Sequence, residues 1–86
     1  MKVSFSEKAL DDFSRMDAKA RELFWGHIHK FAAMPPRRHL RFGLPFFVEN
    51  AGKQGRLVFS FYKEELIVVR CFTRHKEYEK WYKAYG

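Results

Sequence analysis

Nine consecutive residues, Arg70-Cys71-Phe72-Thr73-Arg74-His75-Lys76-Glu77-Tyr78, bring together two guanidinium groups, an ammonium, an imidazole and a phenol. A further guanidinium, Arg56, heads the apolar run before them. Cleaving RNA without a metal calls for cations to offset charge developing on phosphorus, and for a group titrating near neutrality to move protons. His75 is the sharpest candidate for the proton work, because an unperturbed imidazole titrates near 6.5. Arg56, Arg70 and Arg74 are candidate phosphate ligands. Ion pairing of Arg56 and Arg70 with Glu49 and Glu65 is the competing role, of about 0 to 1 kcal/mol at a surface. Tyr78 and Tyr82 could stack on bases, at about 1 to 3 kcal/mol per base. With 19% aromatic residues, core packing competes for both. Arg37, Arg38, His39, Arg41 and Lys53, with Lys76, form a candidate RNA-binding rim.

Metal chemistry has little to draw on. His27 and His29 stand two apart in a helical pattern and point to different sides, His39 is isolated, and a single cysteine excludes a Cys-pair zinc site. We expect neither metal nor cofactor. Cys71, beside Val69 and the following turn, reads as a small buried apolar residue rather than a nucleophile.

These groups must be positioned by short elements. Lys2 to Phe5 alternates polar and apolar, as a strand does, and Ser6 offers an N-cap for a helix over 7–15. Asp17 offers a second cap. Ala20, Phe24, Ile28 and Phe31 then recur at helical spacing over 18–33, until Pro35-Pro36 forbids continuation. The link of about two residues makes the helices an antiparallel hairpin whose apolar stripe must cover a sheet. Strands are expected at 45–49, 56–62 and 66–72, separated by the turn 50–55 and by Lys63-Glu64-Glu65. Period-two alternation groups Leu57, Phe59 and Phe61 with Ile67, Val69 and Cys71 beneath the helices, leaving Arg56 and Arg70 together on an open face. A terminal helix over 76–84 would carry Tyr78, Trp81, Tyr82 and Tyr85 as a stripe. The expected class is α+β: a two-helix hairpin on a small, mostly antiparallel sheet, followed by a short helix.

Eighty-six residues suit a single domain over 1–86, and 47% apolar residues, ten of them phenylalanine, can fill a modest core. The net charge of +7 is unevenly placed. Residues 1–34 hold six Lys/Arg against five Asp/Glu, whereas residues 35–86 hold eleven against five. A field of that kind draws nucleic acid or an acidic protein partner. The lone cysteine and the absence of a long apolar run suggest a cytoplasmic protein with neither signal peptide nor membrane span.

The order βααβββ resembles the RelE/ParE toxin superfamily. The resemblance rests on Phe5-Ser-Glu-Lys-Ala-Leu-Asp-Asp-Phe, on Arg56-Leu-Val-Phe-Ser-Phe, and on Arg70-Cys-Phe-Thr-Arg-His-Lys-Glu-Tyr. It implies the toxin of a toxin-antitoxin pair, held in a hetero-oligomeric complex by an acidic antitoxin. In the RelE-like branch it implies a metal-independent endoribonuclease that cuts messenger RNA on the ribosome by 2′-hydroxyl attack. It further implies that Arg56 contacts the scissile phosphate, that His75 assists proton transfer, and that Tyr78 or Tyr82 is the aromatic stacking on bases or orienting the site. Thr73-Arg74 stands where many relatives have a glycine, and the terminal helix is longer, which leaves the roles of Arg74 and of the aromatic open. A ParE-like inhibitor of DNA gyrase, or a homologue that only binds its antitoxin, are the other implied outcomes.

Overall fold

In the computed structural model, which describes residues 2–34 and 46–85, the elements are β1 (Lys2–Phe5), α1 (Glu7–Ser14), α2 (Ala18–Ala33), β2 (Phe47–Ala51), β3 (Gly55–Tyr62), β4 (Glu65–Phe72) and α3 (His75–Tyr85). The expected elements lie where the sequence puts them, within two residues at the described ends. The sheet runs β1-β4-β3-β2. β1 pairs parallel with β4, and the other two pairings are antiparallel. The first strand is therefore an edge strand, a point the sequence leaves open.

α1 and α2 each begin where a cap can satisfy their orphan amides. Asp17 accepts from Ala20 N at 2.8 Å. Ser6 does more, since its hydroxyl accepts from Ala9 N at 3.0 Å and donates to the Val69 carbonyl at 2.7 Å. One side chain thus starts α1 and ties it to β4.

That carbonyl belongs to an irregularity in β4. Val58 pairs with Arg70 but Phe59 pairs with Val68, so Val69 is an extra residue, a bulge. A bulge inverts the alternation beyond it. Leu66, Val68 and Cys71 therefore pack under α1 and α2, together with Leu57, Phe59, Ala9, Phe24, Ile28 and Phe31. The expected grouping of Ile67, Val69 and Cys71 on that face is corrected accordingly. Phe59 anchors this core, stacked on Phe31 at 5.1 Å and on Phe47 at 5.7 Å. Burying a phenylalanine contributes about 1.5 to 3 kcal/mol, with about 0.5 to 1.5 more per aromatic pair.

The opposite face is not open at this end either. α3 folds across it and builds a second core from Val48, Val58, Phe72 and Tyr78, with Phe46, Val69, Trp81 and Tyr82 against it. Three rings of the expected aromatic stripe thus have an apolar sheet face to cover.

Beyond Phe5, β1 leaves the sheet and the edge of β4 is exposed to α1. Asp12 fills the vacated position. Its carboxylate accepts from Cys71 N at 3.0 Å, Arg70 Nε at 2.7 Å and Arg70 Nη2 at 3.0 Å. Behind this clamp, burial above all, and the Asp12 charge next, push the Cys71 thiol up to about 12. The thiol is the form that packs, and the thiolate is the form that reacts. Iodoacetamide at pH 8 is therefore expected to modify Cys71 at least about tenfold more slowly in the native protein than in urea, by mass spectrometry. Equal rates would contradict its burial. Between pH 9 and 12 the unfolded chain ionises this thiol and the native one does not, so stability falls with rising pH across that window.

Candidate active site

Three chain segments converge at one end of the sheet: the β2–β3 turn, the start of β3, and the β4–α3 turn. The first is made tight by Gly52, whose φ of +77° disfavours any residue with a Cβ. At Gly55 an added Cβ would run into the Ala51 carbonyl, so glycine lets the hairpin close. Arg56 follows, opposite Phe72 on the neighbouring strand. Its guanidinium folds back over its own turn, with Nη1 donating to Gly55 O at 2.7 Å and Lys53 O at 3.3 Å. Both acceptors are carbonyls, and no carboxylate among the described residues neutralises this cation. Gln54 bridges to the third segment, its Oε1 accepting from His75 N at 3.4 Å. Lys53, Arg74 and Lys76 stand exposed around this junction.

The His75 imidazole is oriented from two sides. Its Nδ1 lies 2.8 Å from Glu79 Oε1, one helical turn on, and its ring lies 5.9 Å from that of Tyr78. The side chain remains 40% exposed, so a substrate can reach it. A half-exposed imidazole beside cations that pair with no carboxylate among the described residues can bind a phosphodiester and transfer a proton at it.

The other expected site residues separate. Arg70 points away to α1, forks onto Asp12, and lies 4.6 Å from the centre of the Phe72 ring. The Asp12 hydrogen bond, against the pull of burial, raises its already high pKa. It pairs with neither Glu49 nor Glu65, and the face it shares with Arg56 through the Arg56–Phe72 and Val58–Arg70 pairs is not open but packed by the second core. Tyr78, expected as a base-stacking or site-orienting aromatic, is 1% exposed and belongs to the second core. Tyr82 is half-buried, its ring 4.9 Å from Tyr78. Packing therefore holds the Tyr78 ring. Arg37, Arg38, His39 and Arg41 lie outside the described residues. Among the described residues, no three His, Cys, Asp or Glu side chains converge as a metal would require.

Sequence reasoning missed Gln54, Glu79 and Asp12. Glu79 was within reach, because its spacing of four from His75 on an expected helix puts both on one face. Gln54 and Asp12 carry no local signal.

The fold has known counterparts. A chain of the intact E. coli RelBE toxin-antitoxin complex superposes with a TM-score of 0.70 at 19% identity, over 81% of this chain and 92% of that one. Isolated E. coli RelE gives 0.70 at 19% identity, over 99% and 98%. The YoeB/ParE toxin from Agrobacterium tumefaciens gives 0.69 at 20%, over 83% and 95%.

The chain has the RelE/ParE toxin fold.

A metal-bound toxin from Helicobacter pylori shares it, at a TM-score of 0.68 and 22% identity over 90% and 97%. No family model and no curated sequence matches the chain. Within this RelE/ParE-like architecture, the β2–β3 turn, Arg56 and the start of α3 form one exposed basic corner. No helix among the described residues is long and apolar enough to cross a membrane.

Proposed function

We propose that this chain is the toxin of a toxin-antitoxin pair and an endoribonuclease that cuts messenger RNA on a translating ribosome. The observation that carries the reading is the junction itself: Arg56, unpaired with any carboxylate among the described residues, shares one end of the sheet with an accessible, oriented His75. Gyrase inhibition by binding alone does not call for an imidazole held there.

In the reaction, Arg56 and Arg74 hold the non-bridging oxygens of the scissile phosphate. His75 Nε2 takes the proton of the adjacent 2′-hydroxyl as O2′ bonds to phosphorus. The bond from phosphorus to O5′ breaks, and Lys53 protonates the departing oxygen. The products are a 2′,3′-cyclic phosphate and a 5′-hydroxyl, and both side chains re-equilibrate with water. Lys76 extends the basic surface along the strand. Arg70 takes no part, because its fork is committed to Asp12, and Tyr78 serves packing. An acidic antitoxin would cover the basic corner, and the complex would be hetero-oligomeric and cytoplasmic.

Primer extension on a defined message translated in vitro tests this. Discrete cuts that require translation support it. An intact message overturns the nuclease reading, and a gyrase supercoiling assay then examines the binding-only alternative. Replacing Lys53, Arg74 or Lys76 by alanine is expected to weaken RNA binding without changing sequence preference. Each lost phosphate contact lowers the slope of log K against log salt by about 0.7 to 0.9. An unchanged slope excludes that residue from the track.

A further inference from the structure

We infer that Glu79 is a positioning residue that holds His75 in one tautomer, so that Nε2 is the atom exchanging protons with the substrate. The inference rests on the nuclease reading for its consequence, but its geometry stands independently. Residues 75, 79 and 83 follow one another at intervals of four along α3, on one side of the helix. His75 Nδ1 and Glu79 Oε1 are 2.8 Å apart, and Lys83 Nζ reaches Glu79 Oε2 at 3.5 Å. The carboxylate is thus held from both ends: the imidazole takes one oxygen and the ammonium steadies the other.

A carboxylate can only accept. With Glu79 ionised, the proton on Nδ1 points at Oε1, and the neutral imidazole carries its lone pair on Nε2. That is the form a general base needs toward the 2′-hydroxyl. After proton transfer both ring nitrogens bear protons, and Nδ1–H still donates to Glu79 Oε1. The Tyr78 ring, fixed in the second core, flanks the imidazole and limits its rotation. The carboxylate, imidazole and substrate hydroxyl would then act in series, from a single helical turn.

Two readouts separate the dyad from the nuclease reading. Nitrogen NMR of the His75 ring, assigned by comparison with His75→Ala, is expected to show a protonated Nδ1 and a bare Nε2 in the neutral parent. In Glu79→Ala that preference is lost. In the cleavage assay, Glu79→Ala is expected to lower kcat by about 10- to 100-fold with KM changed less than about twofold. Glu79→Gln, whose amide oxygen can still accept from Nδ1, should retain more activity than Glu79→Ala. In the His75→Ala background, Glu79→Ala should cost nothing further, since the two act as a unit. A tautomer indifferent to Glu79, or losses from the two substitutions that multiply independently, would overturn the assignment. An inactive parent strikes the nuclease reading instead, and the tautomer measurement alone then decides whether Glu79 holds the ring.

Discussion

Replacing His75 by alanine is expected to lower translation-dependent cleavage by about 10² to 10⁴-fold, the usual contribution of a positioned acid or base. Arg56→Ala should lower it by about 10² to 10³-fold, as losing one donor to a developing oxyanion does. The two losses have different origins. His75 moves the proton, so its removal lowers kcat, whereas Arg56 holds charge that grows toward the transition state, so Arg56→Lys keeps a cation but loses the planar fork and recovers only part. Neither substitution should unfold the protein. His75 is half-exposed at the first turn of α3, whose packing rests on Tyr78, Trp81 and Tyr82. Among the described residues, Arg56 donates only to carbonyls in its own turn. Primer extension on variants with parent-like thermal unfolding measures the effect, and a change below threefold at either position removes that residue from the chemistry.

Asp12→Ala is expected to destabilise the fold by about 3 kcal/mol, read from urea unfolding with the slope unchanged. A whole domain is stable by only about 5 to 15 kcal/mol, so this is a large share. The magnitude follows from what the carboxylate leaves behind. Asp12 and Arg70 side chains are 15% and 21% exposed, too buried for solvent to screen the pair as it screens a surface ion pair. Without Asp12, a guanidinium on an apolar ring and the Cys71 amide at an uncovered strand edge both lose their acceptor. The double variant Asp12→Leu with Arg70→Met should recover most of the loss, because apolar replacement of a buried pair is often near neutral. A cost below about 1 kcal/mol for Asp12→Ala would show that the pair behaves as a surface one.

Cleavage and stability therefore divide the arginines that the sequence presents as alike. Arg56 and Arg70 each sit in an apolar strand next to a turn, and alternation alone places them on the same face. They do share that face, beside Val58 and Phe72, but the short β1 lets Asp12 reach the β4 edge and take the Arg70 guanidinium, while the bulge at Val69 shifts the faces of residues 66–69. A bulge leaves no compositional mark in Leu66-Ile67-Val68-Val69-Arg70, a run apolar at both parities, so the register could not be read from it. Tyr78 shows the same limit. Its helical spacing with Trp81 and Tyr82 was legible, but not whether the stripe faces RNA or sheet, since an aromatic ring suits both.

What the chain determines locally is broad. Caps at Ser6 and Asp17, the helical recurrence of Phe24, Ile28 and Phe31, and turns at Gly52 and Lys63 set the elements, because each depends on neighbours within a few residues. His75 and Arg56 as chemical candidates follow from residue type alone. Only the tertiary structure decides which candidates meet. Asp12 reaches Arg70 across 58 positions and Gln54 reaches His75 across 21. Pairings at such separations are set by strand order, register and the path of β1 out of the sheet, which arise from packing the whole chain rather than from any segment of it.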